Sequence, residues 1–353
     1  MIAKVARYAY PVAKIRASMS DLLDAREYAM LVYAQSLDAM VAALNTTAYT
    51  AALQPRTAAF TLALREWRRS KAERLVALLP TDARTLCRTF LSRFELDELK
   101  VILRAIASGT DRRKVLSMLR PLPASSVLSI ENLLAAKTLA EAARVLAETP
   151  YAEPIAKGLQ SATSETAGSE KAAACLTTLE IEIDRWFLSR LAIASAIFSG
   201  EEARIVRRLI GVLIDVTNVL WTERLRRTFH FSPEETARCL CLAGFYFPTA
   251  KNTAILAQWS GEGQPPSLAF GPEQAGPSLR LTMMRMLARE ARRPLFAMPF
   301  QAGVPLSYLI LGELELADLV ALYEGRRWGQ DTMQLADNLI RFHGPSLAGG
   351  EVA

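Results

Sequence analysis

No apolar run in this 353-residue chain approaches the ~18–20 residues that a membrane-spanning helix needs. Its opening, MIAKVARYAYPVAK, also lacks the apolar core of a signal peptide, so neither a leader nor a membrane span is expected. Histidine is nearly missing, with two residues, and cysteine is scarce, with four. Cys239 and Cys241 stand two apart, Cys87 and Cys175 are isolated, and there is no CxxC pair. Zinc is therefore not expected, and the thiols read as reduced core residues of a cytoplasmic protein. GxxxxGK(S/T), HExxH and GxSxG do not occur, which argues against a phosphate-binding loop, a zinc-peptidase helix and a hydrolase elbow. An all-helical metal-dependent enzyme would need clustered aspartates for magnesium, and Asp21 with Asp24, or Asp215 alone, make no such cluster. Charge of one sign is not in great excess either. The 42 basic and 36 acidic residues leave +6, without the concentrated stripe that nucleic acid requires. No catalytic residue, cofactor, metal or nucleic-acid partner is expected.

What is present is an ordered globular composition, 51% hydrophobic and 22% charged, and an internal repeat. LSRFELDELKVILRA (Leu91 to Ala105), LIGVLIDVTNVLWTERLRR (Leu209 to Arg227) and LGELELADLVALYEG (Leu311 to Gly325) superpose. Glu95, Asp215 and Glu315 form one column, Glu98, Asn218 and Asp318 a second, and Leu99, Val219 and Leu319 a third. The offsets are 218 − 98 = 120 and 318 − 218 = 100. Such spacings do not match the ~34- to 47-residue periods of TPR or HEAT-type arrays. At about 100° per residue, Glu95 and Glu98 share a helical stripe with Leu91, Phe94, Ile102 and Ala105, while Arg93, Asp97, Lys100 and Arg104 face the other way. Polar groups on a core-facing stripe are costly unless hydrogen-bonded. The pairs therefore read as anchors that take exposed N–H groups of neighbouring turns. The alternative is a general acid/base carboxylate pair, for which no substrate site is apparent nearby.

Four segments carry a resemblance to a known family. They are YAYPVAKIRASMSDLL near the N-terminus, LSRFELDELKVILRAIASG, EIDRWFLSRL with GVLIDVTNVLWTERLRRTFHFSPEE, and PLSYLILGELELADLVALYEGRRWG. In this order, from residue 8 to about 329, they resemble the C subunit of bacterial and archaeal V/A-type ATPases, called the d subunit in the vacuolar enzyme. Two departures stand out: Glu98 replaces the usual Asn of the first copy, and Lys14 replaces the first Arg of the opening motif, with Arg16 matching the second. The resemblance implies an all-α fold of three related helical units closed into a pseudo-threefold funnel. It implies a non-catalytic rotor part of a V/A-type ATPase or ATP synthase. The partners it implies are the central-stalk shaft with its small companion, entering the funnel mouth, and the membrane proteolipid ring on the opposite face. Torque for ATP-coupled proton or sodium transport would pass through this socket, at the cytoplasmic face of the membrane. A helical adaptor of another complex and a metal-dependent all-α enzyme are the alternatives.

Taken in order, the chain reads as helices throughout, with units expected at 1–118, 119–231 and 232–353. Ser18 or Ser20 is expected to cap a helix through Leu37, and Thr57–Leu79 to form another. Thr81 or Asp82 caps the next, which leads into the first copy and stops near Gly109. Ser161–Lys171 reads as a linker, Ala172–Phe198 as a long helix, and Ser232-Pro233-Glu234 as a helix start. His230 reads as a packed or capping residue rather than a ligand. Ser260–Ser278 is expected to be an exposed Gly/Pro loop, and Leu279–Arg293 a basic, Met-rich helix facing the core, a membrane or a partner. Pro294–Pro305 reads as irregular, Thr332–Phe342 as the last helix, and the Gly-rich end as a disordered tail. Basic doublets recur near the copies: Arg112 and Arg113, Arg207 and Arg208, Arg226 and Arg227, Arg326 and Arg327. They read either as solvated helix ends or as contacts to acidic residues of the stalk.

Overall fold

The computed structural model describes residues 2–53, 60–120, 122–123, 126–163, 170–268 and 276–342. Within these residues the chain is all-α, with no strand. The middle of the expected linker (164–169), part of the Gly/Pro loop (269–275), the tail after 342, and Pro121, Ser125 and Thr57 lie outside them.

Three helical pairs form the frame. The first pairs α4 (Phe60–Ala77) with α5 (Thr81–Leu91) and α6 (Arg93–Ser108), the last two being nearly continuous across Ser92. The second pairs α11 (Glu170–Ser195) with α12 (Gly200–Arg227), and the third pairs α15 (Leu279–Phe296) with α16 (Gly303–Arg327). Each repeat segment occupies the second helix of a pair. The pairs also meet in cyclic order: α11 packs on α6, α15 on α12, and α4 on α16.

Shorter elements follow each frame helix. These are α7 (Arg112–Met118), α8 (Ile130–Ala135), α9 (Leu139–Val145) and α10 (Ala152–Thr163) after the first, and α13 (Pro233–Cys239) and α14 (Ala250–Gln258) after the second. Only α17 (Thr332–Asp337) follows the third among the described residues. The N-terminus supplies what is missing there. It contributes α1 (Ile2–Met19), α2 (Ala25–Val32), α3 (Leu37–Leu44) and a 3₁₀ turn at Ala48–Ala52. A second core cluster accordingly joins Leu31, Met40, Leu44 and Tyr49 to Leu316, Leu319, Leu335 and Phe342, from both ends of the chain.

Several boundaries differ from expectation. The helix expected to run from Ser18 or Ser20 to Leu37 is broken, because Asp24 forms a capping box with Glu27 and starts a new helix at Ala25. Thr81 and Asp82 begin α5 without a side-chain cap. Pro294 does not end its helix: it lies in the last turn of α15, and Pro305 enters α16 within the first turn, where its missing N–H has no helical carbonyl to serve. The last helix stops at Asp337 instead of Phe342. Beyond it the amides of Ile340 and Arg341 are taken by the Asp318 carboxylate and are not free for a further turn.

Helix ends repeat in detail as well. In the first copy the amides of Gly109 and Thr110 return to the carbonyls of Ile106 and Ala105; in the third, those of Gly329 and Gln330 return to Arg326 and Gly325. Both glycines are left-handed, with φ of 63° and 73°. This is the closure in which a residue without a Cβ avoids strain. In the second copy the turn is one residue longer: the Phe231 amide reaches the Leu225 carbonyl, and His230 takes the left-handed position at φ 55°.

Candidate functional site: three buried anchors and a central cavity

The six column residues lie on the three frame helices and are 0% to 8% exposed. None of them lines the larger cavities described below. On α12, Asp215 accepts the backbone N–H groups of Phe245 (2.8 Å), Tyr246 (2.7 Å) and Phe247 (3.2 Å). A Cβ on Gly244 would collide with that carboxylate, so the tight approach needs glycine. Burial pushes Asp215 up to about 7, while the three amides pull it down. Asn218 completes a reciprocal pair with Cys241: its Nδ2 donates to the Cys241 carbonyl at 2.8 Å, and the Cys241 amide donates to its Oδ1 at 3.0 Å.

The other two copies hold their neighbours in the same way. On α6, Glu95 accepts from Ser126 Oγ (2.7 Å) and the Val127 amide (3.1 Å), and Glu98 accepts from the Arg120 amide (2.9 Å) and guanidinium. On α16, Asp318 accepts the amides of Ile340 (2.7 Å) and Arg341 (2.9 Å) and the Tyr28 hydroxyl (3.0 Å). Burial pushes Asp318 up to about 6, and these donors oppose the rise. Glu315 takes the Leu23 amide (2.8 Å), the Tyr49 hydroxyl (2.6 Å) and the Arg341 guanidinium. The spacing from the second column to the amide it captures is nearly constant: 120 − 98 = 22, 241 − 218 = 23 and 340 − 318 = 22. The extra residue in the middle copy accompanies the longer turn at His230.

Sequence reasoning did not find the partners of these groups. Arg120 and Arg341 sit far along the chain from their carboxylates, as do Tyr28 and Tyr49. A faint signal exists: Thr47-x-Tyr49 recurs as Thr149-x-Tyr151, since 149 − 47 = 102 and 151 − 49 = 102. In both, the threonine hydroxyl donates to the carbonyl of a Leu three residues back and accepts the tyrosine amide at 3.2 Å. Tyr49 then meets Glu315, and Tyr151 is hydrogen-bonded to Glu95. Burial raises the hydroxyl pKa of both tyrosines, and they remain donors to these carboxylates. Every column side chain is thus engaged with a protein group, and the arrangement fastens loops to frame helices.

The arginine doublets separate. Arg226 and Arg326 occupy one repeat column, are half-buried, and donate to the carbonyls of Phe231 and Val32. Arg227 and Arg327 are exposed and pair with Glu223 (3.3 Å) and Glu324 (3.6 Å). Arg207 donates to the carbonyls of Ala196 and Phe198, closing the turn between α11 and α12. Arg208 pairs with Glu290 of α15 at 2.9 Å and lies over the Phe245 ring at 4.4 Å. Arg112 and Arg113 are exposed on the first turn of α7.

The stripe opposite the columns is partly open on all three helices, and on α6 and α12 it borders a cavity of about 480 Å³. Arg93, Asp97 and Lys100 of α6, Asp184 of α11, Leu213, Leu220, Trp221 and Arg224 of α12, and Arg280 and Met284 of α15 contribute to its wall. A second cavity, about 610 Å³, lies where the Gly261–Pro265 turn meets Arg227 and Thr282. Glu223 borders both. Among the described residues, no cluster of His, Cys, Asp and Glu could hold a metal.

Among known proteins, the family described as ATP synthase (C/AC39) subunit has a model that matches residues 11–335. The A-type ATP synthase C subunit of Methanocaldococcus jannaschii is 22% identical over 348 residues, covering 92% of this chain and 84% of that protein. Its counterpart from Pyrococcus abyssi is 22% identical over 351 residues, covering 91% and 87%. That of Pyrococcus horikoshii is 24% identical over 253 residues, covering 69% and 62%.

Proposed function

The chain belongs to the ATP synthase (C/AC39) subunit family, and from that membership we propose that it is a non-catalytic central-rotor subunit of an A/V-type ATP synthase. In this reading the three helical pairs form a funnel-shaped socket. The central-stalk shaft with its small companion inserts into the funnel mouth, where its tip would meet the cavity between α6, α12 and α15, and the opposite face rests on the proteolipid ring. The observation that carries the reading is the match of the family over nearly the whole chain, columns and cavity wall included. The anchoring pattern supports it physically. A joint that passes torque must not yield, and α6, α12 and α16 are each fastened to their surroundings by buried, fully engaged carboxylate or amide groups. No helix among the described residues is long and apolar enough to cross a membrane, so attachment through the ring is the mode proposed. The three units at 1–118, 119–231 and 232–353 are part of this proposal, with residues 23–53 completing the third unit in space.

The test is affinity purification of the tagged full chain from gently solubilised membranes. Recovery with the shaft and proteolipid subunits is the expected result. A protein recovered alone, or one with metal-dependent turnover of a small substrate, overturns the assignment.

A further inference from the structure

We propose that the central cavity recognises an acidic, apolar-tipped segment of the inserted partner protein through Arg93, Arg224 and Arg280. This rests on the socket reading and adds the chemistry of what the socket accepts. Of the carboxylates in the cavity wall, Asp184 pairs with Lys100 and Glu223 with Arg227 at 3.3 Å, while Asp97 shares Arg120, at 3.8 Å, with the buried Glu98. Arg93, Arg224 and Arg280 form no ion pair among the described residues, although all three border the same cavity. Glu313 on α16 lies in the field of Arg93 without pairing to it. An anion entering the hollow would supply the ion-pair partner that these three guanidinium groups lack.

Two of the guanidinium groups are also held in position. Arg93 lies over the Phe90 ring at 5.5 Å and Arg224 over Phe229 at 5.2 Å. Stacking fixes the plane of a guanidinium and leaves its N–H edge to take a carboxylate. The remaining wall is apolar, with Leu213, Leu220, Trp221 and Met284 only partly buried against the core. An occupant that offers both a carboxylate and an apolar side chain satisfies both parts.

The repeat shows that these cations are not demanded by the frame. The anchoring columns keep an acid or amide in every copy. The wall columns do not: positions 93, 213 and 313 hold Arg, Leu and Glu, and positions 104, 224 and 324 hold Arg, Arg and Glu. The unpaired cations of the wall belong to α6, α12 and α15, and α16 carries acids at the matching repeat positions. A free nucleotide or polyphosphate is the rival occupant. The cavity wall contains no glycine-rich turn that would cradle phosphate, which favours a protein segment.

The experiment measures association of the full-length chain with the reconstituted shaft and its small companion from the same complex, at low and high salt. The triple variant Arg93→Gln, Arg224→Gln, Arg280→Gln should associate about tenfold more slowly at low salt and lose most of its salt dependence. The double variant Arg112→Gln, Arg113→Gln should behave as wild type. Should the triple variant melt lower than wild type, Arg280→Gln alone carries the test, since Arg280 is exposed. Equal rates for wild type and variant overturn the site and leave the socket intact. Absence of any shaft binding by the wild type overturns the socket and the site together. Binding of ATP or inorganic triphosphate that the triple variant loses, with shaft association unchanged, makes the cavity a small-anion site and also overturns the proposal.

Discussion

Asp215 has the most to lose at the level of the single residue. Three amides converge on a carboxylate that is 0% exposed. Asp215→Leu leaves those donors without an acceptor and should cost on the order of 3 kcal/mol or more, read from chemical denaturation. An unchanged midpoint would remove its anchoring role. Its titration has a definite sign. Burial raises it from 3.8 to about 7, so its contribution to stability is present below its unfolded value and is lost as pH rises through about 7. Stability should therefore fall between about pH 4 and pH 7 through this group, and Asp215→Asn should flatten that part of the pH–stability curve. His230 offers the opposite experiment. A non-glycine residue in the left-handed region costs about 1 kcal/mol, so His230→Gly should raise the denaturation midpoint, while Gly109→Ala or Gly329→Ala should lower it by a similar amount.

At the level of the element, the N-terminal segment is the part whose position in the chain misleads. Leu23, Tyr28 and Tyr49 supply donors to Glu315 and Asp318, which lie 266 to 292 positions away. A chain beginning at Phe60 should leave those two carboxylates short of partners and expose the apolar face of α16. Hydrogen exchange should then report lost protection in α16 and α17, with α12 protected as before; equal loss in α12 would argue against a separate second core. The α4–α16 contact is similarly exacting. Arg68, buried, lies over the Tyr308 ring at 5.2 Å and fills the space where Gly312 has no Cβ. Gly312→Ala should displace that guanidinium and destabilise the fold by about 1–3 kcal/mol, measured by thermal unfolding.

For the whole molecule, the cyclic order of helix pairs matters more than any one pair. Because α11 packs on α6, α15 on α12 and α4 on α16, no frame helix moves without pressing on the next pair. That continuity suits a part proposed to carry torque. It also gives the half-buried Arg226 and Arg326, like the exposed Arg207, backbone carbonyls to hold. They tie the ends of α12 and α16 to the Phe231 and Val32 carbonyls, so Arg226→Gln or Arg326→Gln should lower the melting temperature. Arg227→Gln and Arg327→Gln should leave the melting temperature within experimental error, because exposed ion pairs contribute little.

The sequence by itself determined the helical class, the three frame helices and the two polar columns on their buried stripes. Those features are local: a period of 3.6 residues and a fixed offset between copies are written in consecutive residues. It also carried the family, through four ordered segments. Only the tertiary structure decided what the columns hold, because most of their donors are backbone amides, which nearly every residue possesses and no motif marks. Tertiary structure alone also placed residues 23–53 beside residues 316–342, since a core shared by the two chain ends leaves no periodic trace. The cavity wall depended on it most: Arg93, Arg224 and Arg280 resemble any solvated arginines until three helices are brought around one hollow.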